Sequence, residues 1–228
     1  MRAFPAFIVP ALIAAAAASP AQSQTVYSQA PADPPGFGYY SSSQPVPQRN
    51  FKHADDFTLA AAATIHSVRF WGMSEGRVST GISNFSAFTV EFFATNPTTQ
   101  LPAALLHTET FAAALTAPTT TGRVAFDTGA TEYGHTISLA SPISLLAGTK
   151  YHIAISATPV VPTGDVWLWQ DGRFVNGTSG IYRWSTGAWS TFQDTDSAFE
   201  LVTIPAPGTA LLAASLTAGA AARRRRRA

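Results

Sequence analysis

The stretches Ala87-Phe88-Thr89-Val90-Glu91-Phe92-Phe93 and Lys150-Tyr151-His152-Ile153-Ala154-Ile155-Ser156-Ala157 decide the fold class. In both, large apolar side chains recur at every second residue: Phe88, Val90 and Phe92 share one face, Tyr151, Ile153 and Ile155 another. A period of two is that of a pleated strand with one buried and one wet face. Val68 and Phe70 repeat it within Ser67 to Trp71. Further β-favouring runs lie between turn residues at Asp56 to Leu59, Ala104 to Phe111, Arg123 to Asp127 and His135 to Leu139. Others follow at Val166 to Gln170, Gly180 to Trp184, Trp189 to Phe192 and Ala198 to Val202. Many short strands at this spacing predict an all-β, antiparallel sandwich. The one helix-like composition, Ala60 to Ala63, is too short to sustain a helix and reads as a loop.

Outside this region the chain changes character. Gln22 to Asn50 is rich in Pro, Ser, Gln and Gly, without periodicity, and reads as an extended lead-in. Met1 and Arg2 precede an apolar run to Ala18, and Ser19-Pro20-Ala21 places small residues before Gln22, the pattern of a secretory leader cleaved between Ala21 and Gln22. The expected organisation is a leader over 1–21, a lead-in over 22–50, a β-sandwich over 51–203 and a distinct tail over 204–228.

Charge excludes one class of partner. Of the 14 Lys and Arg, six (Arg2 and Arg223 to Arg227) sit in the terminal segments, leaving eight against 13 acids, a balance of about −5. Such a domain has no basic stripe for nucleic-acid phosphates. With no cysteine, disulfides, thiolate metal sites and cysteine nucleophiles are excluded too.

The tail reads Pro205-Ala206-Pro207-Gly208, then an Ala- and Leu-rich stretch from Thr209 to Ala222, then Arg223, Arg224, Arg225, Arg226 and Arg227. It resembles the PEP-CTERM sorting signal, in which a Pro-Glu-Pro motif precedes an apolar helix and a basic cluster. Ala206 stands where that family usually has Glu, so the point of cleavage is less defined than the resemblance itself. The resemblance implies processing by a membrane-embedded exosortase-type enzyme and delivery to the cell surface, outer envelope or extracellular matrix. The same tail type is also labelled an ice-binding-protein C-terminal domain, a name that implies sorting. Physically, 14 residues of helix span about 21 Å, short of a ~30 Å hydrocarbon core, so the segment suits transient membrane association. The arginines hold their flank on the cytoplasmic side and leave the domain outside.

Between the ends, Ala54-Asp55-Asp56-Phe57, Ser67 to Gly72, Phe88 to Phe92, Leu146 to Tyr151, Val166 to Trp169 and Ala198 to Leu201 are arranged as in uncharacterised exported domains. This resemblance implies a jelly-roll-like sandwich with no agreed activity, and with it a non-enzymatic role.

Four sets of residues bear chemistry. Gly72-Met73-Ser74-Glu75-Gly76 matches the Gly-x-Ser-x-Gly elbow of hydrolases, but the expected loop at Ser74 has no following helix to complete it. The five histidines lie far apart, without metal-ligand spacing. Trp167, Trp169, Tyr182, Trp184 and Trp189 have two readings: core packing, or an aromatic platform stacking on the sugar rings of an extracellular polysaccharide. Finally, Asp55 and Asp56 near the first predicted strand, with Asp194, Asp196 and Glu200 around the last, are the candidate ligands of a structural calcium ion, should the terminal strands lie side by side. No other cofactor is expected.

Overall fold

A computed structural model describes residues 22–33, 35, 38–42, 51–75, 82–125, 129–160, 165–173, 180–183, 187–191 and 196–204. In chain order the strands are β1 (Gln24–Gln29), β2 (Gly38–Tyr40), β3 (Phe51–Thr58), β4 (Ala63–Glu75), β5 (Phe85–Thr95), β6 (Pro102–Ala112) and β7 (Thr119–Val124). They continue with β8 (Thr131–Leu145), β9 (Lys150–Pro159), β10 (Val166–Gln170), β11 (Gly180–Arg183), β12 (Ala188–Thr191) and β13 (Phe199–Thr203). Every run expected to be extended overlaps a strand, though Ala125 follows β7 and Phe126, Asp127, Trp184 and Phe192 lie outside the described residues. The described strands all pair antiparallel in two sheets, an all-β antiparallel sandwich. The segment 22–50 is more than a lead-in, because β1 and β2 belong to the sandwich and the compact unit spans Ser23–Ile204. Edge strands take register from their neighbours, so these two needed no alternation of their own.

The first sheet is built on β4. One edge of β4 pairs with β8, which carries β7. The other edge is shared: β13 takes Ser67 to Phe70 and β10 takes Gly72 to Glu75. Each sharing strand has its own outer partner, β1 on β13 and β2 on β10. The second sheet runs β12-β11-β3-β9-β5-β6.

Between the sheets lies one apolar layer. Phe70, Trp167, Trp169 and Phe199 from the first sheet meet Phe57, Phe88, Phe92, Ile153 and Ile155 from the second, all nearly or fully buried. Trp167 meets Phe88 edge-on at 5.3 Å and Phe70 at 5.8 Å, the arrangement that ring quadrupoles favour. Gly72 makes room for this indole, since a Cβ at that position would overlap the Trp167 ring.

The ladder breaks on two sides, and polar groups close each break. Between Ile65 and Ser67 the register of β8 slips, and the freed N–H groups of Ala140 and Ser141 donate to Glu109 of β6 at 2.9 Å each. On the other side, Ser41 and Ser42 follow β2 and cross toward the second sheet. The Ser42 hydroxyl accepts the Trp167 N–H at 2.7 Å, the Ser41 hydroxyl accepts the His53 N–H, and the Ser41 carbonyl accepts the Ala157 N–H.

Two histidines are sealed in the apolar layer. His135 stacks on Phe70 at 4.8 Å, and His53 stacks on Tyr39 at 4.9 Å. Burial pushes both imidazoles down to about 3, so each is neutral in the folded chain. Between that value and the unfolded value of 6.5 the unfolded chain binds more protons. The stability tied to neutral histidine is therefore complete above pH 6.5 and is lost as pH falls toward 3, at up to about 1.4 kcal/mol per pH unit for each ring. Urea midpoints measured at pH 7.5 and 4.5 should fall more steeply for the native chain than for His135→Phe, which keeps the stack and cannot take a proton. Equal pH slopes would contradict the sealed, neutral ring.

Candidate metal centre

The junction where β13 and β10 share the edge of β4 lies against β3. Here the chain passes through Asp171-Gly172 and Asp196-Ser197, joined by a bridge between Asp171 and Ser197 and by the Gly172 N–H donating to the Asp196 carbonyl at 2.7 Å. Asp55 and Asp56 on β3 reach this junction. Asp55, Asp56 and Asp196 are 0%, 4% and 2% exposed, and one carboxylate oxygen of each lies within 4.8 Å of the others.

Asp55 is the hub. Its Oδ2 accepts the Ser197 N–H at 2.6 Å and the Gln29 amide at 3.0 Å, and its Oδ1 accepts the Asp56 N–H at 2.9 Å. Gln29 is oriented in turn by the Tyr27 hydroxyl, which donates to its Oε1 at 2.7 Å. Gly172 has no side chain, and a Cβ there would come within 2.9 Å of the Gln29 side chain. Lys150, on the neighbouring strand, places its ammonium 2.6 Å from Asp56 Oδ2.

The arrangement concentrates negative charge away from water. Burial first, then the Asp196 carboxylate, raises the Asp55 pKa well above the ordinary range, against the opposing pull of the Ser197 N–H. Two species relieve such a cluster: a proton on Asp55, or a cation among the three carboxylates. Oxygens within 4.8 Å of one another fit a single calcium coordination sphere, whose diameter is about twice a 2.4 Å bond. The donor set is all oxygen, the preference of a hard cation. The Ser197 hydroxyl, buried and without a hydrogen-bond partner among the described residues, belongs to the residue whose N–H already reaches Asp55.

Of the residues predicted to ligate calcium, the structure brings Asp55, Asp56 and Asp196 together. Glu200 points elsewhere, because its carboxylate takes the Ser28 hydroxyl at 3.1 Å and the Arg69 guanidinium at 2.8 Å, and Asp194 lies outside the described residues. Gln29, Ser197 and Lys150 were not anticipated. Gln29 sat in a segment without periodicity, Lys150 contributes through its register on β9, and Ser197 through an isolated bridge just before β13.

The remaining candidates are placed as follows. Ser74 lies within β4, opposite Trp167, and not on a loop; its hydroxyl is buried and has no hydrogen-bond partner among the described residues. Trp167 and Trp169 are 0% exposed, and rings without an open face cannot stack on sugars. Tyr182 and Trp189 are half-buried cross-strand partners on the β11–β12 hairpin, with centroids 5.2 Å apart. The Lys52 ammonium lies 5.2 to 5.8 Å from the rings of Tyr182, Phe93 and Trp189 and 2.6 Å from Glu91. Trp184, Ala21, Pro205 to Pro207 and Arg223 to Arg227 lie outside the described residues; Gln22 is exposed just before β1. The apolar stretch 209–222 also lies outside them, and among the described residues no helix is long and apolar enough to cross a membrane. No protein-family model and no curated protein matches the chain.

The charge balance has a consequence in metal-free buffer. A carboxyl whose folded pKa is raised contributes stability below its unfolded value of 3.8, and that contribution is lost as pH rises through the folded pKa. Asp196→Asn removes the neighbouring charge, so it should melt higher than the native chain at pH 7.5 in chelator, with the difference shrinking toward pH 4. A variant that melts lower across this range would show that Asp196 is held by bonds which outweigh the repulsion.

Proposed function

We propose that the chain is an exported, non-enzymatic protein of the cell surface, outer envelope or extracellular matrix, a jelly-roll-like sandwich stabilised by one structural calcium ion. The observation that carries the calcium assignment is the meeting of three buried aspartates at the junction of the first and last parts of the chain. Calcium there would neutralise Asp55, Asp56 and Asp196, and through Gln29 and Ser197 it would fix β1 and the entry to β13. Export is supported by the leader pattern and by the ordered motif, apolar stretch and arginines of the tail, which also make an exosortase-type enzyme a partner. The jelly-roll-like reading is supported by the antiparallel pairing of first and last strands within one of two facing sheets.

Two measurements test this. A ligand that binds only the folded state at about 100 times its Kd adds about 2.7 kcal/mol, roughly 5–10 °C for a domain of this size. Millimolar calcium, compared with chelator and with magnesium, should raise the native melting temperature by that order and leave Asp196→Asn unmoved; an unchanged native melt would remove the calcium ion. The mature protein extracted from its host should lack Arg223 to Arg227 by intact mass, and retained arginines would remove the sorting reading.

A second reading, binding of extracellular polysaccharide, draws on the Tyr182–Trp189 pair, which keeps partial exposure on an edge hairpin. Trp189→Ala should then weaken retention in polysaccharide-containing gels with little change in melting temperature. A large fall in melting temperature with retention unaltered would leave Trp189 as a packing residue over Ala54, Phe93 and Ala154.

A further inference from the structure

We propose that the end of the sandwich from which both chain termini leave rests on a lipid surface in the unprocessed protein. This rests on the reading of the tail as a membrane segment and adds what the folded domain does beside it.

The pairing of Gln24 with Thr203 sets the start of β1 beside the end of β13, so Gln22 and Ile204 emerge together. The ladders carry three turns to the same end. Ala63 pairs with Leu145, Leu59 bridges Ala147, Thr58 pairs with Lys150, and Thr95 pairs with Pro102. The tip is therefore formed by residues 59–62, 96–101 and 146–149 together with Ile204.

This tip is uncharged: the turn 96–101 presents the neutral polar Thr98, Thr99 and Gln100, and the turns 59–62 and 146–149 present apolar side chains. Ala60, Ala61 and Ala62 are exposed, Leu146 is 65% exposed and Ile204 49%. Leu105 and Leu106, just inside β6, are 51% and 46% exposed. Among the described residues at this end the one charged side chain is Lys150, already paired with Asp56. Removing charges from water is what makes membrane contact costly, and this surface has almost none to remove.

The turns are fixed in this posture. The Gly148 N–H donates to the Leu59 carbonyl at 2.9 Å, with Gly148 at φ +67°, and the Leu146 N–H donates to the Tyr151 hydroxyl at 3.1 Å. Asn96 Oδ1 accepts the N–H groups of Thr98 and Thr99 at 2.9 and 3.1 Å. Leu146 is thus presented outward on a braced loop.

Chain length selects the occupant. Ile204 is followed by Pro205-Ala206-Pro207-Gly208, and the apolar stretch begins at Thr209. Four residues fully extended reach about 14 Å, while one headgroup layer is roughly 5–8 Å thick. With Thr209 to Ala222 in the bilayer, the tip cannot move more than about 6–9 Å clear of the headgroups. A charged tip held there would lose hydration, whereas this one buries Leu146 and its neighbours.

The absence of cysteine makes the test direct. Leu146→Cys and, at the opposite end, Leu115→Cys, which is 72% exposed in the native chain, are labelled with an environment-sensitive fluorophore in the full chain. Each is reconstituted into protein-free vesicles of phosphatidylethanolamine and phosphatidylglycerol carrying a headgroup-level nitroxide. The label at 146 should shift to the blue and lose most of its emission to the nitroxide, while the label at 115 stays water-like. If the chain floats with vesicles but the 146 label stays water-like, the docking proposal falls and the tail reading stands. Protection of the 146 label only in native membranes would also overturn it, in favour of an envelope protein as the partner. A chain that does not float removes the tail reading, and the docking proposal with it.

Discussion

Backbone amides shut away from water must find acceptors, and that requirement organises this sandwich. At two places where the first sheet interrupts its ladder, a carboxylate from the second sheet takes up the freed N–H groups: Glu109 at Ala140 and Ser141, Asp55 at Ser197. These bonds stand on opposite sides of the apolar layer and set how the sheets lie over one another. The two acids solve the same problem at different cost. Glu109 is partly open to solvent, with the His107 ring nitrogen 3.0 Å from its Oε1. Asp55 is fully enclosed beside two further carboxylates, so it must share its charge with a proton or a cation.

That difference makes the Asp55 side the chemically responsive part of the molecule. Gln29 and Ser197 belong to the early and late parts of the chain, yet the one carboxylate of Asp55 bonds both. Whatever neutralises it therefore acts on the cohesion of both sheets. Lys150 cannot do so alone, because its ammonium is spent on Asp56 at the outer margin of the cluster.

The sheets were legible in the sequence because residues such as Phe88, Val90 and Phe92 declare their inward face by alternation. Val166 to Gln170 was found with its observed bounds, although the sequence could not decide which way its tryptophans point. Both are buried because the strand lies inside a sheet, with Trp167 against Phe70 and Phe88 and Trp169 against Phe199. β1 and β2 were missed for the opposite reason: Gln24 to Gln29 and Gly38 to Tyr40 are polar or short, and only long-range partners make them strands. The aspartate cluster was half legible. Acids near both ends of the domain suggested a meeting, but the sequence could not tell Asp196, at the junction, from Glu200, which β13 turns toward Arg69. Ser74 misled in the same manner, since a five-residue motif says nothing of the strand that runs through it.

The pairing of β1 with β13 also bears on when the molecule can become itself. Residues 24 and 203 are partners, and the edge of β4 that β13 occupies is bare until the final strand exists. The earlier strands can collapse around β5 and β9, but the first sheet lacks two members and Asp55 lacks its amide until nearly the whole domain is made. Contacts of such sequence separation form late, because the entropy of closing the longest loop must be met before they return anything. A chain built this way cannot close its first sheet until its last strand arrives.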